Sequence, residues 1–523
     1  MLASRELIIF NYFNTKIQHF KKSVILRSAF KNAGWSGISY LFAPLLHLAA
    51  TPYLINKLGT EIYGIWMLIN SIIAVSGIAS LGLGTATVKY VSQYQAREDK
   101  SEVINVIRTT MSLYMILGTT AAILISLSAP FIADHIFRIQ PSHRLLLIHS
   151  IQIACIALVM RFAYGVVEAV AQGHHRYDFG AQFTIIISIL NIVSACIVVS
   201  LDGGLKGILL CQILVIFSGF IGLTCRVSHH IRSWAWLLPG IQVATLKKVG
   251  GYAFWSWLQT IGSMMASQGD KVIIGAILGP TQLTYYTVCQ QILQVGQGFV
   301  SKALSFIFPM ASSLRELNDL NRLRRLFKHG MTMAIAISCG YCVPLFLFPD
   351  ILLTLWLGPE ISAQASPLMS ILALSTAIMT TSTVPFFYLN GSGYARLNAL
   401  SAFGSGGSIA LGSYFLIPVF GLLGAAYARL CNLPISLINR TILQRKVLGN
   451  RNPFAGFIGF DIIIIMFLIS CLIRNYLPTF ETVSRSSFLK YLSILGLTGV
   501  ISFILAFALS RFIVNIYFKP LDT

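Results

Sequence analysis

Apolar runs of about 20 residues, separated by short polar breaks, recur from Trp35 almost to the C-terminus. Each is long enough as a helix to cross a hydrocarbon core of about 30 Å. The runs lack the alternating pattern of a membrane barrel, whose strands need only about 9 to 11 residues. The pattern predicts fourteen helical spans, near residues 35–55, 63–86, 109–132, 145–170, 181–200, 205–225, 251–279, 283–307, 330–356, 367–388, 398–418, 421–439, 456–473 and 489–515. Two polar stretches, Lys89 to Arg108 and Arg315 to Lys328, read as amphipathic helices outside the hydrocarbon. The expected fold class is an all-α polytopic membrane protein.

The pattern repeats. Leu58-Gly59, followed by Tyr63, has its counterpart in Leu278-Gly279, followed by Tyr285-Tyr286, and the same spacing carries Asp99 onto Asp319 and Gly173 with Arg176 onto Gly393 with Arg396. Gly204-Leu205-Lys206-Gly207 matches Gly421-Leu422-Leu423-Gly424 at a slightly shorter spacing. Ordered anchors at nearly one offset are the signature of an internal duplication. The expected domains are a basic N-terminal segment, 1–34; a first six-helix half, 35–225; a linker, 226–250; a second six-helix half, 251–444; and two additional helices with a short tail, 445–523. An even number of spans per unit gives both halves the same orientation, related by a pseudo-two-fold axis along the membrane normal.

Composition agrees with a lipid solvent. Hydrophobic residues make up 56% of the 523 positions and charged residues 11%, against about 25% charged in a soluble domain. A net charge of +21 would suggest nucleic acid in a soluble protein. Here most of the lysines and arginines fall in the segments that an inside N-terminus makes cytoplasmic, which is the positive-inside bias. Basicity therefore marks topology, with both termini cytoplasmic, and contact with anionic membrane lipids. The first 34 residues carry six basic side chains but no continuous apolar core with a cleavage site, so they do not read as a removable signal. An interfacial segment and a disordered tail are equal readings of them.

Pro52-Tyr53-Leu54-Ile55-Asn56-Lys57-Leu58-Gly59, then Glu61-Ile62-Tyr63-Gly64-Ile65-Trp66 and Leu81-Gly82-Leu83-Gly84, together with Asp270-Lys271-Val272-Ile273-Ile274-Gly275, resemble the oligosaccharide flippases. These form the polysaccharide-transporter branch of the multidrug/oligosaccharidyl-lipid/polysaccharide (MOP) exporter superfamily, whose fold is MATE-like. Members often carry an acidic residue just before the Leu-Gly-Leu element, where this chain has Ser80. The resemblance implies translocation of polyprenyl-diphosphate-linked oligosaccharide units across the cell inner membrane by alternating access, for O-antigen and lipopolysaccharide, capsule or exopolysaccharide assembly. It also implies partnership with a polysaccharide polymerase and chain-length machinery.

Ionisable residues inside spans cost about 2.5 to 3.5 kcal/mol on insertion scales, so each needs a partner, water or a ligand. Arg161, Lys271, Lys302 and Arg429 lie in four spans and both halves, a distribution suited to one central cavity holding a diphosphate. Snorkelling or structural ion pairing is the competing reading: Glu168 is two turns from Arg161, and Asp270 adjoins Lys271. Gln259 and Ser263 with Asp270 on the seventh span, and Gln291 and Gln294 on the eighth, form polar stripes that either bond sugar hydroxyls or hold helices together. Asn70 and His47 are weaker candidates in the first half.

Other chemistries find little support. Cys339 and Cys342 have redox spacing but sit in an apolar helix, and Gly404-Ser405-Gly406-Gly407 reads as small-residue helix packing. No lysine follows a glycine, so a Walker A loop is absent and ATP is not the direct fuel. No cofactor is expected. A membrane glycosyltransferase or polymerase would handle the same lipid-linked sugars, but the nine Asp and eight Glu include no Asp-x-Asp pair to hold a metal and a sugar diphosphate. A cation-coupled multidrug exporter of the same superfamily remains the alternative within transporters. It would need an early carboxylate, and spans 1 and 2 contain none.

Overall fold

The computed structural model describes residues 42–137, 139–449, 452, 456–476 and 488–517. The basic segment expected over 1–34 and the tail after 517 lie outside them. The ordered elements among the described residues are all helices. The first half comprises α1 (42–58), α2 (Thr60–Val75), α3 (Leu83–Ala96), α4 (Lys100–Phe131), α5 (Arg144–Gly173), α6 (Tyr177–Ser200) and α7 (Gly204–Ile231). The second comprises α8 (Val243–Met264), α9 (Asp270–Ile277), α10 (Pro280–Ala303), α11 (Ile307–Glu316), α12 (Leu320–Leu347), α13 (Pro349–Leu357), α14 (Pro359–Thr380), α15 (Thr383–Gly391), α16 (Ala395–Phe420), α17 (Leu422–Leu430) and α18 (Leu433–Lys446). α19 (Phe460–Tyr476) and α20 (Phe488–Tyr517) follow.

Helix lies over each of the fourteen predicted spans. Among the described residues, nine helices are long and apolar enough by themselves to cross a membrane. Two of the other segments differ for local reasons: α10 is loaded with glutamines, and the segment from Leu422 to Lys446 is interrupted just before Pro434, which cannot donate to a preceding turn. Outward faces carry large apolar side chains, among them Leu127, Leu214, Phe415, Leu468 and Leu505, all exposed on the isolated chain. Lipid is the solvent that makes such faces favourable.

Paired positions of the sequence repeat share backbone conformation. Gly59 and Gly279 each precede a helix at positive φ, 80° and 90°, a conformation with little cost for glycine. Asp99 and Asp319 cap α4 and α12 with the same φ, −86°, and each carboxylate accepts from the backbone N–H three residues on, Glu102 and Arg322. Each cap follows a left-handed residue, Glu98 or Asn318. The two polar stretches read from sequence as single amphipathic helices are each the end of one helix, this capped turn, and the start of the next.

Small residues set the closest crossings. A Cβ on Gly406 would come 2.3 Å from Gly262 O, so α16 and α8 touch backbone to backbone. Gly499 would meet Gly340 O at 2.8 Å, fixing α20 along α12, while α19 lies against α12 and α14. The last two helices therefore pack on the second half.

Candidate functional site

α2 and α10 cross between the halves, and beside them opens a cavity with two adjoining lobes. The larger, about 410 Å³, is walled by α1, α2, α5, α6, α7 and α10; the smaller, about 150 Å³, by α2, α9 and α10 together with the turn before α9. Met67, Asn70, Gln291 and Gln294 line both lobes, which makes them one space. Its size falls in the range of ligand sites, about 300 to 1,000 Å³.

Arg161 reaches the larger lobe from the middle of α5, about 18 Å along the helix from Gly173 at 1.5 Å per residue. Its side chain is exposed there, although the residue lies deep in a span. Lys271 lines the smaller lobe, with its ammonium donating to Gln268 Oε1 at 3.3 Å. Neither cation has a carboxylate within salt-bridge reach among the described residues. Glu168 accepts from Gln172 at 3.3 Å rather than pairing with Arg161. Among the described residues the lobes' walls hold no Asp or Glu, so they present positive charge.

Around Arg161, four buried polar atoms have no hydrogen-bond partner among the described residues: His47 Nδ1, Trp66 Nε1, Asn191 Oδ1 and Gln212 Oε1. Buried polar groups are normally paired, so four on residues from four helices around one cavity are unusual. Gln291 is different. Its Oε1 accepts from Thr51 at 3.0 Å and its Nε2 donates to the Tyr63 hydroxyl at 2.9 Å, tying α10 to α1 and α2.

The predicted cationic set is thus divided. Arg161 and Lys271 face the cavity with Asn70, Gln291 and Gln294. Arg429 does not: it is 7% exposed, and its guanidinium donates from Nε and Nη2 to Asp270 Oδ2 at 3.1 and 2.7 Å and from Nε to the Tyr286 hydroxyl at 2.8 Å. Tyr286 in turn donates to Asp270, which is fully buried. Lys302, in the last turn of α10, lies about 12 Å beyond Gln294 along the helix and outside both lobes. Gln259 and Ser263 also lie outside both walls. Sequence reasoning passed over Asn191, Gln212 and Gln268; lone amides in otherwise apolar helices were the available signal.

The halves also touch each other beyond this space, toward both ends of α2. At the end bearing the Gly59 and Gly279 turns, Thr284 donates to Thr60 O at 2.6 Å, and α2 runs so close to Pro280 that a Cβ on Gly64 would lie 2.0 Å from its carbonyl oxygen. Toward the other end, Trp257 Nε1 donates to Ile78 O at 2.8 Å and the Thr85 and Ser256 hydroxyls are 2.6 Å apart.

The architecture and the sequence have relatives. A candidate O-antigen transporter of Shigella flexneri is 19% identical over 413 residues, covering 76% of this chain and 93% of its own length. The structure of the lipid II flippase MurJ in an inward closed conformation superposes with a TM-score of 0.66 at 11% identity, covering 92% of this chain and 98% of that one. An inward-facing MATE-family multidrug transporter of the MOP superfamily superposes with a TM-score of 0.63 at 13% identity, covering 83% and 96%. At these identities the superpositions establish the fold alone, one shared with the lipid II flippase and with the MATE-family transporter. The sequence profile described as polysaccharide biosynthesis protein matches residues 58–388, from the end of α1 into α15 and more than half of the chain; the protein belongs to the polysaccharide biosynthesis protein family.

Proposed function

We propose that this protein translocates a lipid-linked saccharide bearing a diphosphate across the cytoplasmic membrane, by opening the cavity between its halves first to the cytoplasm and then to the outside. The observation that carries the reading is the pair Arg161 and Lys271, two intramembrane cations without carboxylate partners on a space ringed by amides. A cationic cavity of this kind selects an anionic cargo. The orphaned atoms of Trp66, His47, Asn191 and Gln212 supply donors and acceptors for sugar hydroxyls. Relatives named as an O-antigen transporter and a lipid II flippase support the cargo class.

The lipid tail has a place as well. An apolar groove of about 640 Å³ runs between α1, α10, α12 and α20, with Leu45, Phe299, Tyr341, Leu495 and Phe503 on its walls. A polyprenyl chain lying there keeps its hydrocarbon out of water while its headgroup is moved.

Two modest charges suit transport better than one tight clamp, because the cargo must also leave. The test is complementation of glycan export, with membrane abundance measured alongside, for Arg161→Gln, Lys271→Gln and the double variant. Each single variant is expected to lower export about tenfold, which corresponds to about 1.4 kcal/mol, and the double to abolish it, at normal abundance. Full export by the double variant would overturn the reading, and drug efflux in its place would favour a multidrug exporter.

A further inference from the structure

We propose that Arg429 is a positioning residue: it sequesters Asp270, so that Lys271, one residue along, presents its charge to the cavity without neutralisation. The proposal rests on the cavity reading above and identifies what keeps that cavity cationic.

Asp270 and Lys271 are neighbours on α9, and a lysine ammonium on a flexible four-carbon stem readily folds onto a nearby carboxylate. Here the carboxylate is already bonded on both oxygens. Its Oδ2 accepts two N–H groups from Arg429 and the hydroxyl of Tyr286, and its Oδ1 accepts the backbone N–H of Lys271 at 2.8 Å. Three of these donors crowd Oδ2 and one reaches Oδ1, and the negative charge is already matched by the Arg429 guanidinium, so little attraction is left for the Lys271 ammonium. That ammonium instead turns to the neutral Gln268.

The side-chain donors come from two other helices. Arg429 is on α17, 159 residues away in sequence, Tyr286 is on α10, and Gln290 Nε2 donates to the Tyr286 hydroxyl at 3.4 Å. Together they hold the carboxylate inside the second half and away from the cavity. Arg429 thereby acts on the cargo only through Lys271. With Asp270 held, Arg161 and Lys271 leave the cavity two positive charges; with Asp270 released onto Lys271, one remains.

The experiment measures binding of undecaprenyl diphosphate, against undecaprenyl alcohol as the uncharged control, to the full chain in lipid nanodiscs. Arg161→Gln and Lys271→Gln test the cavity itself: a tenfold loss of preference for the diphosphate is expected, and no loss in either overturns the cavity reading rather than the positioning role alone. Arg429→Gln is expected to lose a similar factor, because the released Asp270 pairs with Lys271. The double variant Asp270→Asn with Arg429→Gln removes both the clamp and the charge it holds, and is expected to return within threefold of the wild type. If Arg429 contacted the cargo directly, the double variant would bind as weakly as Arg429→Gln, and the proposal would fail. It would fail equally if Arg429→Gln bound like the wild type. Where Arg429→Gln does not accumulate, the double variant decides alone: near-wild-type preference supports the proposal and a tenfold loss overturns it.

Discussion

Gln291 and Gln294 sit one turn apart on α10 and both line the cavity, yet they carry different burdens. Gln291 bonds Thr51 and Tyr63 across the boundary between the halves, whereas neither α1 nor α2 holds Gln294 by a comparable bond. Gln291→Leu leaves the buried Tyr63 hydroxyl short of a donor, a loss of about 1 to 3 kcal/mol, and is expected to lower both the unfolding temperature and export. Gln294→Leu is expected to lower export while leaving the unfolding temperature within about one or two degrees of the wild type. Equal destabilisation of the two variants would contradict these assignments. At the membrane surface, the backbone N–H of Glu102 and the Ser101 hydroxyl hold the Asp99 carboxyl below its usual range. Its contribution to folding is therefore present above the ordinary carboxylate pKa and is lost as pH falls through the lowered value. Asp99→Ala is expected to flatten the acid limb of a stability-against-pH profile.

Elements explain why the polar stripes of the sequence did not all reach the cavity. Between α8 and α9 the chain passes through a widened π-type turn, Met265–Gly269. Such a turn takes one extra residue, which rotates everything after it by about 100° relative to a continuous helix. Gln259 and Ser263, aligned with Asp270 on a uniform helical period, are parted from it by that rotation, and Ser263 stands eight residues, about 12 Å, before Lys271 along the helix. Helix crossings constrain motion in the same local way. Gly64→Ala would place a methyl group 2.0 Å from Pro280 O, so α2 and α10 can no longer close at that end. The expected outcome is a transporter of normal abundance, at least tenfold slower, with a cysteine at Asn70 labelled more readily from the side of the Gly59 turn; unchanged labelling would mean that the crossing does not gate the cavity. Gly496 borders the apolar groove with open space above its Cα. Gly496→Phe should fill the groove and slow export of a long-chain cargo, with the unfolding temperature preserved.

For the whole molecule, the distribution of lysine and arginine predicts fourteen crossings with both termini on the cytoplasmic side. Cysteine labels placed between Arg226 and Gly250 and after Lys519 are expected to react from the same side, and opposite sides would change the number of crossings. The sequence by itself determined the solvent, the helical class and the duplication. Apolar length, glycine turns at Gly59 and Gly279 and aspartate caps at Asp99 and Asp319 are all local signals, readable within one turn or one span. It also singled out Arg161, Lys271, Lys302 and Arg429, because a charge in an apolar run is conspicuous, but not Arg440, which is 2% exposed on α18. Only the tertiary structure decided which cations face the cargo space and which are consumed internally. Arg161 and Lys271 line the cavity, whereas Arg429 meets Asp270 across 159 residues of chain. The physical reason is that a helix's rotation about its axis is fixed by packing against its neighbours and by irregular turns such as Met265–Gly269, neither of which hydropathy records.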